Sequence, residues 1–257
     1  MIERKVFIEG AEVRYLEGGE GAPLLLLPSS AGRATEYQPL IPLLENDFHL
    51  FSLDYPGFGQ SDPIEKIEGT VDLAGFVLHW IDRIGLARCH VAGFSLGGWI
   101  ALSLALSHPE RIEKLVLIAT SAERRPDIPI INPSGMSHRE ILQKFYYRSE
   151  VRERLARQKL SPSEKEEILR SSRALARLVA YRKLIPQFGP RLHEIHLPTL
   201  ILAADQDEAI PLPYQQELHA GIAGSEIVVL RDTGHAIIAE RPLESAEAIR
   251  NFLQDPI

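Results

Sequence analysis

The chain has 257 residues, 45% of them hydrophobic and 25% charged, and a formal net charge of −7. That length fits one large α/β domain, or one domain carrying an insertion, with a core large enough to need neither metal nor disulfide support. The acidic balance argues against a general nucleic-acid binder, apolar runs such as residues 24–27 are too short to span a bilayer, and the single cysteine, Cys89, can form no internal disulfide, which makes a cytoplasmic location natural.

The start, Met1-Ile2-Glu3-Arg4-Lys5, has no apolar run behind it and does not read as a signal peptide. Residues 5–9 and 12–16 predict a short hairpin turning at Gly10. Residues 23–27 and 49–53 read as apolar strands with a helix between them over 35–45. Residues 70–84 read as a helix ended near Gly85, 89–93 as a strand, 96–107 as a helix closed by His108-Pro109, and 114–119 as a strand. Two more strands follow at 199–203 and 226–230, and an amphipathic helix at 243–253 closes the chain. Strands alternating with helices predict a mostly parallel sheet covered on both faces.

Residues 121–198 break this rhythm, with no convincing strand. They open on the proline-spaced segment 126–133, which must be irregular because proline can neither donate to a ladder nor continue a helix. Helical patterns follow over 139–158 and 162–185. The second begins Ser161-Pro162-Ser163-Glu164: an N-cap serine, a proline at the first helical position and a glutamate three residues after the cap. The division expected is a core of residues 1–120 and 199–257 carrying a helical lid at 121–198. That insertion holds sixteen Lys or Arg and nine Asp or Glu, a net of +7, so the remainder carries −14 to give the overall −7. A solvated basic face accounts for this; so would attraction of an anionic substrate, or docking on the acidic body.

The motif that carries chemistry is Gly93-Phe94-Ser95-Leu96-Gly97-Gly98, which matches G-x-S-x-G between an apolar strand and a helix. A tight strand-to-helix turn needs glycine two residues either side and lifts the serine hydroxyl above the sheet edge. The positive end of the following helix favours a developing anion there. A serine hydroxyl needs a base. Of nine histidines, His49, His79, His90, His108, His138, His193, His196 and His219 lie in or beside elements where a structural role suffices. His235 follows a strand through Asp232-Thr233-Gly234 and precedes a helix, at the sheet's carboxyl edge where ligands bind in open α/β sheets. The third member should be a carboxylate that orients the imidazole. Asp205 and Asp207 both follow the strand 199–203, and residue chemistry alone leaves both open.

The chain resembles the α/β-hydrolase fold superfamily, in its lid-bearing esterase, lactonase and C–C-bond hydrolase branch. The resemblance rests on Leu53-Asp54-Tyr55-Pro56-Gly57-Phe58-Gly59-Gln60-Ser61-Asp62, on Gly93 to Gly98, on Asp207-Glu208-Ala209-Ile210-Pro211 and on Thr233-Gly234-His235. It implies an eight-stranded, mostly parallel sheet with a helical lid, and a Ser95–His235–Asp207 triad, since in that family the acid precedes a proline by four residues, as Asp207 precedes Pro211. It makes Asp205 a turn residue. It also implies an oxyanion hole from the backbone amides of Leu96 and Ser30. The family usually carries His-Gly where this chain has Pro28-Ser29. Serine at the nucleophile position disfavours a dehalogenase or an epoxide hydrolase.

Asp54 and Asp62 read as loop organisers, Cys89 as a small core residue and Trp99 as core packing. The function expected is hydrolysis of a small ester, lactone or related carbonyl compound through an acyl-enzyme. The alternatives are a C–C bond hydrolase or lyase of the same fold and a slow-turnover ligand receptor. The expected partner is a small molecule, with no cofactor, metal, nucleic acid or membrane, in a monomer or homodimer.

Overall fold

A computed structural model describes residues 1–180 and 187–255. Eight strands form one sheet: β1 (Ile2–Ile8), β2 (Ala11–Gly18), β3 (Ala22–Leu27), β4 (Phe48–Leu53), β5 (Cys89–Phe94), β6 (Ile112–Ile118), β7 (Thr199–Ala204) and β8 (Glu226–Leu230). Their order is β1-β2-β4-β3-β5-β6-β7-β8. β2 runs antiparallel to both neighbours and the other pairings are parallel.

The helices are α1 (Ile41–Leu44), α2 (Thr70–Arg83), α3 (Leu96–Ser107), α4 (His138–Phe145), α5 (Ser149–Arg157), α6 (Pro162–Ala180), α7 (Leu212–Gly221), α8 (Ile237–Glu240) and α9 (Pro242–Gln254). Alternation along the central strands splits the core in two. Leu25, Leu27, Val91, Leu117 and Ile201 face α2, α3 and α7, while Leu24, Leu26, Ala92, Val116 and Leu202 face α1, α8 and α9. Both faces are covered, so β5 is buried at every residue. The helix α3 is buried from Leu96 to Ala105 and carries no polar stripe.

Two expectations are corrected and one helix is added. The helix expected over 35–45 is a 3₁₀ turn, Ala34–Tyr37, followed by the single turn α1; Pro39 and Pro42 interrupt the intervening hydrogen bonds. The helix expected over 139–158 is two, because Tyr146 and Arg148 are extended and the backbone N–H groups of Tyr147 and Arg148 go to the Glu240 carboxylate instead of up a helix. The helix α7 has too weak an apolar stripe to be read from the sequence, and enters after Pro211. The far end expected for α6, including Lys183 and Ile185, lies outside the described residues.

The helices α4, α5 and α6 lie between β6 and β7. One of them, α6, is seated on the loop after β4. Gln60 Nε2 donates to Glu167 (2.8 Å) and Gly59 N to Ser171 Oγ (3.1 Å). Arg170 donates to the Ser61 carbonyl (3.1 Å) and Arg177 to the Glu65 carbonyl (2.7 Å). No helix among the described residues is long and apolar enough to cross a membrane.

Candidate active site

Parallel registers bring the carboxyl ends of β3, β5, β6, β7 and β8 to one edge, with Leu27 beside Gly93, Ile118 beside Leu202 and Ala204 beside Leu230. Ser95 sits at that edge between β5 and α3, at φ +53° and ψ −112°. A non-glycine residue there is strained, and the surroundings hold it in place. Ser95 N donates to the Ile118 carbonyl (2.9 Å), and the Thr120 hydroxyl donates to the Ser95 carbonyl (2.8 Å). The flanking glycines are required by space. A Cβ on Gly93 would stand 2.4 Å from the Gly97 carbonyl oxygen, and one on Gly97 would stand 2.1 Å from that of Leu27.

His235 Nε2 lies 3.0 Å from Ser95 Oγ, and its Nδ1 lies 2.8 Å from Asp207 Oδ2. The Asp207 carboxylate is wholly buried. Its Oδ1 accepts from the amides of Ala209 and Ile210, both at 2.8 Å. Buried Gln215 donates weakly to Oδ2 (3.4 Å) and strongly to the Ile210 carbonyl (2.6 Å), which locks the loop. The imidazole is flanked by the Phe94 ring at 5.3 Å and, edge-on, by the Phe145 ring at 5.2 Å. Asp205 stands apart, accepting a long bond from Thr233 N (3.4 Å) and lying 3.8 Å from Arg231.

The His235 loop is also tied to the β6–β7 segment. Ala236 N donates to the Phe145 carbonyl (2.9 Å). Glu240, 3% exposed, accepts from Gly234 N and Arg148 N, both at 2.6 Å. Burial pushes its carboxyl above the usual range, against the pull of those amides.

Leu96 opens α3, so its N–H has no helical carbonyl to meet. Among the described residues neither Leu96 N nor Ser30 N has a protein acceptor. The rest of the Ser30 turn is saturated. Ser29 N and Ser29 Oγ both donate to Glu36, each at 2.6 Å. Ala31 N donates to Ser29 Oγ (3.2 Å) and Gly32 N to the Ser29 carbonyl (2.9 Å). The Glu36 carboxyl is turned into the turn. Burial raises its pKa, while the Ser29 donors, Arg33 and His235 oppose the rise.

The other residues singled out behave as packing or loop elements. Asp54 is fully buried and accepts from Ala34 N (2.6 Å), Gln60 N (2.9 Å) and Arg14 (3.2 Å); Asp62 accepts from Glu12 N (3.1 Å). Burial pushes the Cys89 thiol up to about 12. Trp99 Nε1 donates to Ser121 (3.1 Å). Glu36, Glu240, Gln215 and Phe145 are site residues that the sequence pattern does not mark. Glu36, Glu240 and Gln215 work largely through backbone atoms and Phe145 through a ring contact, none of which leaves a residue-type signature.

Residues 24–248 match the family model described as "Alpha/beta hydrolase family". The chain is 30% identical over 262 residues to a 2-hydroxy-6-oxononadienedioate/2-hydroxy-6-oxononatrienedioate hydrolase of Klebsiella pneumoniae, covering 95% of this chain and 88% of that protein. Among solved structures, a membrane phospholipase A described as a bacterial virulence factor superposes with a TM-score of 0.84 at 26% identity, over 98% of this chain and 85% of that one. The enol-lactonase from Burkholderia xenovorans LB400 shares the fold with a TM-score of 0.83 at 23% identity, over 98% and 100%.

Proposed function

The chain belongs to the alpha/beta hydrolase family, and from that membership we propose that it is a serine hydrolase acting on a small ester, lactone or related carbonyl compound, with Ser95, His235 and Asp207 as its triad. The observation that carries this reading is the unbroken relay from Ser95 Oγ to His235 Nε2 (3.0 Å) and from Nδ1 to Asp207 (2.8 Å).

In this reading Ser95 Oγ attacks the carbonyl carbon and its proton passes to His235 Nε2. Asp207 holds the imidazole in the tautomer that can take that proton and stabilises the cation formed. The oxyanion is met by the free amides of Leu96 and Ser30 and by the positive end of α3. His235 then gives its proton to the leaving group, and water, deprotonated by the same nitrogen, releases the acid. Residues 121–198 act as a lid over the core of residues 1–120 and 199–257, in keeping with the Phe145 ring against His235. A cytoplasmic location accords with the lone, buried Cys89.

A second reading is favoured by the 30% identical Klebsiella protein: the bond broken is C–C, beside the ketone of a 2-hydroxy-6-oxo dienoic acid. A panel of p-nitrophenyl esters, γ-lactones and such ring-cleavage keto acids separates the two. Turnover of esters or lactones with inert keto acids supports the first, and the reverse supports the second. Tight binding with negligible turnover throughout would replace both with a receptor. A fluorophosphonate probe should label Ser95; labelling elsewhere overturns the triad.

A further inference from the structure

We infer that Glu36 is a positioning residue that builds the oxyanion turn of this chain, holding Ser29 by two hydrogen bonds so that the Ser30 amide faces the carbonyl under attack by Ser95. The inference rests on the reading of Ser95 and Ser30 above.

The turn after β3 must present one unused N–H. The amides either side of Ser30 are consumed: Ser29 N by Glu36 (2.6 Å) and Ala31 N by Ser29 Oγ (3.2 Å). Gly32 N closes on the Ser29 carbonyl (2.9 Å), and the Gly32 carbonyl accepts from Tyr55 N (3.0 Å). Ser29 is therefore the hub of the turn, and its hydroxyl donates to the second Glu36 oxygen (2.6 Å). That donation orients the hydroxyl lone pairs toward Ala31 N.

Glu36 is itself held. Its neighbour Tyr37 is fully buried, with its hydroxyl 3.0 Å from the Leu27 carbonyl and 3.2 Å from that of Ala92. The Glu36 backbone N donates to the Arg33 carbonyl (3.1 Å). The turn thus hangs between the ends of β3 and β5, and Glu36 is the bracket. Pro28 cannot donate and Ser29 carries a side chain that must go somewhere. A carboxyl with two acceptor oxygens takes up both Ser29 donors at once. A carboxylate beside a developing oxyanion would oppose it. Here the two Ser29 donors take up the carboxyl oxygens, with Arg33 close enough to oppose the charge, so its part is geometric.

The test uses adduct formation with a phenylethyl trifluoromethyl ketone. Ser95 Oγ bonds to the ketone carbon, the hydroxyl proton moves to His235 Nε2, and the carbonyl π pair becomes the oxyanion. The matching alcohol reports binding without an oxyanion. Glu36→Ala should weaken the ketone roughly 10²-fold, with kcat/KM falling in parallel, and leave the alcohol within about threefold of wild type. Hydrogen exchange should quicken in residues 29–33 and not in the loop of Asp207. Glu36→Gln should restore most of the ketone affinity, since its carbonyl can accept from Ser29 N while its amide donates to Ser29 Oγ.

Equal losses for ketone and alcohol would show general damage to the pocket and overturn the inference. So would unchanged ketone affinity in Glu36→Ala, or Glu36→Gln as poor as Glu36→Ala. Failure of the wild type itself to form an adduct at Ser95 would instead bring down the triad reading on which the inference stands.

Discussion

Asp207 and His235 are joined through Oδ2 and Nδ1 at 2.8 Å, and the other Asp207 oxygen is held by two amides, so this carboxylate has one orientation available. Asp205, two residues earlier, accepts a long bond from Thr233 N and lies 3.8 Å from Arg231, away from the imidazole. Asp207→Asn should lower kcat by roughly 10³–10⁴-fold, because the amide favours the wrong imidazole tautomer. Asp205→Asn should cost less than about tenfold. Steady-state kinetics on any turned-over ester decides it, and equal losses would move the acid assignment.

Glu240 joins the backbone before His235 to the backbone entering α5. Glu240→Ala leaves the buried Gly234 donor unmet, at about 1–3 kcal/mol, and frees the part-buried Arg148 donor at a smaller cost. Thermal unfolding should show a lower Tm, and limited proteolysis should cut faster around residues 145–149. A falling kcat with little change in KM would mark a displaced His235.

The basic balance of residues 121–198 bears on substrate entry only if those cations point to the site. Arg170 and Arg177 instead bond carbonyls of the loop after β4, Arg125 pairs with Asp127 and Glu217, and Lys144 pairs with Glu208. Raising ionic strength from about 0.01 M to about 0.1 M shortens the Debye length from about 30 Å to about 10 Å. The kcat/KM of a carboxylate-bearing ester and of a neutral one of equal size should respond in parallel. A fall confined to the anionic ester would show steering.

His90 gives a pH dependence of stability. Its ring is buried, Nδ1 has no partner among the described residues, and burial holds its pKa below the usual 6.5 despite Glu113 nearby, with Lys114 and Arg88 adding to the fall. The neutral ring is favoured on folding. Its contribution is therefore present above the unfolded pKa and lost as pH falls through the folded one. Between about pH 7.5 and about pH 5, Tm should drop less in His90→Leu than in the wild type. An identical drop would place the acid sensitivity elsewhere.

How much of this was legible follows from what each feature is made of. The Gly93-x-Ser95-x-Gly97 turn is local, and its glycines answer contacts within a few residues or with the next strand, so its pattern survives in the sequence. The central strands are legible because both faces of the sheet are covered there and their apolar runs are continuous. Asp207 was separable from Asp205 only by resemblance, since the difference is which carboxyl the amides of Ala209 and Ile210 reach. The break between α4 and α5 was invisible because a carboxylate some ninety residues away takes the amides that would have continued the helix.

The Glu240 bridge also bears on protein engineering. Grafting a relative's β6–β7 segment onto this core, to change what the enzyme accepts, would exchange the strand-like stretch whose N–H groups meet Glu240 and whose Phe145 carbonyl meets Ala236. Such a chimera would alter the anchoring of the His235 loop along with the segment exchanged. A transplant that keeps residues 145–148 native and swaps only what lies beyond them is the cleaner cassette.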